Sequence, residues 1–137
     1  MESINIEKDI KVLCITAESF PYGINETHEK LHSIIPFSTS RGYFGISRPE
    51  NGVIVYKAAA GVLEEDNGKE FDCESFIIVK GKYLGITIHN YSKDIQSIAK
   101  AFEELTNHPD IDPDGYCIEW YFNDQDVKCM VKVADKN

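Results

Sequence analysis

Two short stretches of this 137-residue sequence carry side chains whose type and spacing could do chemistry. The first, residues 115–122, reads Gly-Tyr-Cys-Ile-Glu-Trp-Tyr-Phe: aromatic, β-prone, with one carboxylate, Glu119, at its centre. Successive side chains of a strand leave on opposite faces, so Tyr116, Ile118, Trp120 and Phe122 share one face and Cys117, Glu119 and Tyr121 the other. Both faces read as at least half buried. A carboxylate in such a place disfavours its charged form unless something compensates it. Three states are open to Glu119: paired with Lys57, Lys128 or Lys132 on an adjacent strand, protonated, or matched by a ligand.

The second stretch is His28-Glu29-Lys30-Leu31-His32, on a predicted helix. That spacing puts two imidazoles on one side to bind zinc, with Glu29 beside them as general base, the arrangement of a zinc metallopeptidase. A pentapeptide this short also arises by chance, and the sequence shows no third ligand. The expectation is therefore an ordinary packing helix and no metal or other cofactor. Gly42, Gly45, Gly81, Gly85 and Gly115 make no phosphate-cradling pattern, since none opens a helix after a strand. No Gly-x-Ser-x-Gly and no nucleophilic Cys-His pair occurs. Whether the chain is an enzyme is left open, and any catalysis would fall to Glu119 as base, with Tyr121 or a water as partner. Such a metal-independent hydrolase needs a substrate that is already reactive, a strained or electrophilic ring rather than a peptide bond.

The elements that must position these residues follow from hydrophobic periodicity. Residues 10–17 read as a strand, with a short one ahead at 3–6. After Phe20-Pro21-Tyr22-Gly23 comes a helix with Ile24, His28, Leu31 and Ile35 at helical spacing, stopped by Pro36. Residues 41–47 are strand-like, Pro49-Glu50-Asn51-Gly52 reads as a turn, 53–63 as a long strand and 64–69 as an acidic loop. Strands at 71–79 and 82–89 follow, joined by a Lys80-Gly81 turn. Ser92 is placed as N-cap of a helix carrying Ile95, Ile98, Ala99, Phe102 and Leu105 on one side. A Pro- and Asp-rich loop at 109–115, a strand at 115–123, an Asp124-Gln125 turn and a strand at 126–134 complete the chain.

The second half repeats the first at a spacing of 71 residues. Leu13-Cys14-Ile15-Thr16 falls on Leu84-Gly85-Ile86-Thr87, Ile24 on Ile95, Leu31 on Phe102 and Ile34 on Leu105; an insertion of about three residues then sets Phe44-Gly45-Ile46 on Ile118-Glu119-Trp120. Repeat one covers about 1–63 and repeat two about 71–134 of a single domain. The predicted fold is α+β: duplicated β-α-β-β units forming one antiparallel sheet with two helices, pseudo-two-fold symmetric, with a ligand cleft at the seam. Gly45 then stands across from Glu119, one copy offering the carboxylate and the other empty space.

Composition narrows the function. The net charge is −9, with no basic cluster, so direct nucleic-acid binding is not expected. The start of the chain lacks a signal-peptide pattern and no apolar run is long enough to cross a bilayer, which makes cytoplasmic the expectation, with no membrane partner. Cys14, Cys73, Cys117 and Cys129 are widely spaced within predicted strands and read as buried free thiols. Tyr22, Tyr43, Phe44, Tyr56, Tyr91, Trp120 and Tyr121 are the aromatic candidates for a pocket wall. Each ring facing a cation contributes about 0.5–2 kcal/mol. Two or three rings with one carboxylate could thus reach roughly −8 kcal/mol, micromolar binding. Tyr121 leads, because it shares the face of Glu119.

Cys117-Ile118-Glu119-Trp120-Tyr121-Phe122-Asn123-Asp124 is similar to the Glu-x-Tyr-x-Asn-Asp ending of GyrI-like proteins, the effector-binding domains found in AraC-type and MerR-type regulators. The duplicated order and the Tyr91 that follows strand 82–89 strengthen the resemblance, which spans nearly the whole chain. It implies binding of a lipophilic, often cationic small molecule, with Glu119 meeting the positive charge, Tyr121 beside it, and Tyr22, in Phe-Pro-Tyr where the family often has Gly-Pro-Tyr, as a loop aromatic near the cleft. Trp120, Tyr91, Tyr56 and Phe44 complete the expected ligand-binding set. Relatives often carry a helix-turn-helix in front, for which this chain leaves no room, so it is not expected to read DNA itself. The resemblance implies a sensor, sequestering or drug-resistance role, or hydrolysis of strained cyclopropane rings by the same glutamate. A protein partner or a homodimer stays open.

Overall fold

A computed structural model describes residues 1–66, 71–94 and 96–135. Its elements run β1 (Glu2–Ile6), β2 (Ile10–Thr16), α1 (Ile24–Ile34), β3 (Tyr43–Glu50), β4 (Val53–Gly61), β5 (Glu74–Ile78), β6 (Gly81–Ile88), α2 (Gln96–Thr106), β7 (Cys117–Trp120) and β8 (Val127–Lys132), with short 3-10 turns at Glu64–Asp66 and Tyr91–Lys93. The class is α+β, and every strand pairing described is antiparallel. The repeated order is β-β-α-β-β, the expected β-α-β-β unit preceded in each half by the strand placed at 3–6 and at 71–79. Ile95, placed on the second helix by periodicity, and residues 67–69 of the expected acidic loop lie outside the described residues.

Two compact units result, Met1–Lys8 with Val79–Asn137, and Asp9–Ile78. In the first the strand order is β1-β6-β8-β7, with α2 on β8 and β6; in the second it is β3-β4-β2-β5, with α1 on β4 and β2. The leading strand of each repeat has thus changed places: β1 pairs with β6 of repeat two and β5 with β2 of repeat one. Register confirms the 71-residue alignment. Cys14 faces Ala59 as Gly85 faces Met130, and Gly45 faces Ala58 as Glu119 faces Cys129.

The helices bury complementary surfaces. Leu31 of α1 and Ile35, its C-cap residue, sit over Ala58 and Ala60, so the strand is small where the helix end is large. Under α2 the sizes are reversed: Ala101 and Leu105 meet Val127, Cys129 and Val131. Gly23, just ahead of α1, has no room for a side chain, since a Cβ there would come within 2.8 Å of the Ser19 carbonyl oxygen.

Three expectations need correction. The turn placed at 49–52 is tighter: β3 runs through Pro49 to Glu50, and only Asn51 and Gly52, with φ of 53° and 80°, make the reversal. A two-residue turn of this hand matches strand twist. Pro49 pairs with Ile54 one step beyond the bonded Glu50–Val53 pair, where its missing N–H is not needed. Ser92 does not cap α2. It lies inside the 3-10 turn that left-handed Asn90 starts, and the helix begins at Gln96. Ala99 is exposed, and Ala101 takes the inward place.

Candidate functional site

Glu119 lies in β7 and is 8% exposed. Strand alternation sends it, with Cys117, toward the side covered by α2, and Tyr121 leaves on the same side just past the strand end. The Tyr121 hydroxyl donates a short hydrogen bond to Glu119 Oε1. The Tyr91 ring, carried by the 3-10 turn before α2, meets the Tyr121 ring edge-on, 5.4 Å between centroids at 64°. Cys129 stands directly across from Glu119 on β8.

The negative charge of Glu119 is felt throughout this cluster. Burial pushes the Cys117 thiol up to about 11 and the Cys129 thiol to about 12, with Glu119 adding to both. The Tyr91 phenol is also raised, by burial, then Asp124, then Glu119. At neutral pH these three groups are uncharged: two inert thiols and a donor phenol near Glu119. The part played by Cys129 could not be read from the sequence, because only the β7–β8 register brings it to Glu119.

The lysines considered as partners are engaged elsewhere. Lys57 Nζ bonds Glu74 Oε2 at 2.8 Å and Thr16 Oγ1 at 2.9 Å, Lys128 pairs with Glu2 at 3.4 Å, and Lys132 pairs with Asp135 at 3.0 Å. Two of these sites are copies of one another. Thr16, Lys57 and Glu74 in one unit correspond to Thr87, Lys128 and Glu2 in the other, where Thr87 donates a short bond to Glu2. What both units keep serves the sheet. Glu119 and Tyr121 have no such copy, their counterparts in register being Gly45 and Ser47.

Of the other aromatics expected in the site, Trp120 shares the unit of Glu119, and Tyr22, Tyr43, Phe44 and Tyr56 belong to the other. Trp120 is on the opposite face of β7, its ring 5.8 Å from Phe122, with Lys128 Nζ 5.7 Å from the Trp120 centroid and 5.5 Å from that of Phe122. Phe44 is buried against Gly42, Tyr56 is buried beneath Phe20, and Tyr22 is 90% exposed. Tyr43 stacks on Phe37 at 5.5 Å.

The chain shares its fold with integron cassette protein VCH_CASS2 of Vibrio cholerae. The two align over 97% of this chain and 95% of that one, with a TM-score of 0.68 and 14% identity. A Staphylococcus aureus protein described as a "putative bacterial transcription regulation protein" aligns over 96% and 97% respectively, at a TM-score of 0.58 and 11% identity. No protein-family profile matches the chain, and no curated protein sequence matches it. At this identity the likeness to VCH_CASS2 is one of fold, and with nearly whole-chain coverage it takes in both units.

The His28-Glu29-x-x-His32 stretch is a packing helix. His28 Nε2 is 2.8 Å from the Tyr56 hydroxyl, while His32 is exposed, with Phe37 and Tyr43 at 6.2 and 5.1 Å. Among the described residues no three His, Cys, Asp or Glu side chains gather as a metal ligand set, and no helix is long and apolar enough to cross a membrane. Burial, then the charge of His32, lowers the His28 pKa from 6.5 to about 4. A folded value below the unfolded one means the stabilisation is present above 6.5 and lost as pH falls toward 4. Urea unfolding across that window is expected to show a loss on the order of 2–3 kcal/mol, and His28→Gln should flatten it.

Proposed function

We propose that this chain binds a hydrophobic, cationic small molecule at Glu119, in a sensor, sequestering or drug-resistance role like that of the GyrI-like domains it resembles. The observation that carries the reading is the buried Glu119 carboxylate set among Tyr121 and Tyr91, in the one repeat that departs from its copy at those positions. A carboxylate lined by aromatic rings offers a lipophilic cation both charge and π-faces. The Tyr121 hydroxyl holds one carboxylate oxygen in place, so the charge is oriented before a ligand arrives. The net charge of −9 favours approach of cations and disfavours nucleic acid. The fold shared with a protein described as a "putative bacterial transcription regulation protein" agrees with a sensing role.

A thermal-shift screen of lipophilic cations tests the proposal. A ligand present at a hundred times its dissociation constant is expected to stabilise the chain by about 2.7 kcal/mol. Glu119→Gln, similar in shape but neutral, should lose that gain. Equal stabilisation of the variant would make the carboxylate structural.

A further inference from the structure

The edge strands of the two units repeat one another residue by residue. β1 and the residues after it read Glu2-Ser3-Ile4-Asn5-Ile6-Glu7-Lys8; β5 and its continuation read Glu74-Ser75-Phe76-Ile77-Ile78-Val79-Lys80. Glu, Ser, Ile and Lys recur in step, and the two glutamates fill the same place in the duplicated Thr-Lys-Glu clusters. The edges part company at two outward positions. Where β1 has Asn5 and Glu7, β5 has Ile77 and Val79, which are 43% and 45% exposed.

β5 bonds to β2 on one side and ends the strand order of its unit, so its outer row of N–H and C=O groups meets no further strand among the described residues. Open edges of this kind pair readily unless charge, proline or a bulge blocks them. β1 carries polar residues at the two divergent positions; β5 carries neither charge nor proline between Glu74 and Lys80.

We propose that β5 pairs with β5 of a second copy of this chain, antiparallel about a two-fold axis at Ile77. In that register Ile77 faces Ile77, Phe76 faces Ile78, Ser75 faces Val79, and Glu74 faces Lys80 at both ends. The run Phe76-Ile77-Ile78 is therefore complementary to itself in apolar surface, as an isologous contact requires, while Glu74 keeps its bonds to Thr16 and Lys57. The same register in β1 would set Asn5 on Asn5 and Ser3 on Glu7, with little to bury. One strand edge is a small interface, so the dimer is expected to depend on concentration.

Sedimentation of the full chain should give a mass rising from 15.5 kDa toward twice that value with concentration. Ile77→Lys sets like charges together at the axis and should raise the dimer dissociation constant by about tenfold or more. Lys80→Glu should weaken it less, and Asn5→Lys, on the equivalent edge, should not change it. Ile77 is exposed, so the circular dichroism of Ile77→Lys should match the parent and separate a lost interface from a lost fold. A chain that stays monomeric at every concentration overturns the proposal. So does a dimer that survives Ile77→Lys or yields to Asn5→Lys.

Discussion

Arg41→Met is expected to lower the unfolding free energy by about 3–5 kcal/mol, because it strands the Asp66 carboxylate in a buried place. The two side chains are 3% and 6% exposed. Arg41 Nη1 donates to Asp66 Oδ2 at 2.6 Å and Nη2 to Oδ1 at 3.0 Å, and Nη1 also donates to the Gly61 carbonyl at 2.9 Å. Asp66 in turn accepts the Leu63 backbone N–H at 2.8 Å. The pair thus ties the chain after β4 to the approach of β3. The bond to Asp66 raises the Arg41 pKa further, so the guanidinium stays charged at every working pH. Arg41→Lys should recover only part of the loss, since one ammonium cannot make the two-pronged contact. The double variant Arg41→Met with Asp66→Leu should be far less destabilised than the sum of the two single changes. Urea unfolding of the four proteins measures this, and additive losses would show that the pair is not coupled.

Leu31→Ala should cost about 2–5 kcal/mol, and Leu105→Ala a similar or smaller amount. Both leucines are fully buried, on α1 and α2 respectively. The difference lies in the floor beneath them. Leu31 rests on Ala58 and Ala60, whose methyl groups cannot swing into a hole, with Leu13, Ile15 and Ile34 packed around that cluster. Leu105 is surrounded by Ile98, Phe102, Val127 and Val131, whose larger side chains can partly close one. Urea midpoints with an unchanged slope would report the two costs directly. A markedly larger loss at Leu105 would contradict this account of the two cores.

Much of this architecture was legible because duplication wrote it twice. Leu13-Cys14-Ile15-Thr16 against Leu84-Gly85-Ile86-Thr87 fixed a spacing that the strand registers keep, and the three-residue insertion before β3 and β7 set Gly45 in the place of Glu119. The exchange of β1 and β5 between repeats was not legible, because alternation shows that a segment is a strand but not which sheet it joins. The Arg41–Asp66 pair was hidden for a similar reason: 25 residues separate partners that only the fold brings together. At the site, alternation was enough to join Glu119 with Tyr121. It could not place Tyr91, which a left-handed Asn90 and a 3-10 turn deliver. Composition nominated Tyr22, Tyr56 and Phe44 without telling which rings are buried, as Tyr56 and Phe44 are, and which exposed, as Tyr22 is.

Whether Glu119 reads ligand charge is tested most directly by isothermal titration of a lipophilic cation and its neutral isostere against the parent chain and Glu119→Gln. The parent should prefer the cation by about tenfold or more, a difference of about 1.4 kcal/mol, and the variant should bind the two alike. Equal affinities in the parent, or a preference for the cation that persists in Glu119→Gln, would contradict a ligand-binding role for this carboxylate.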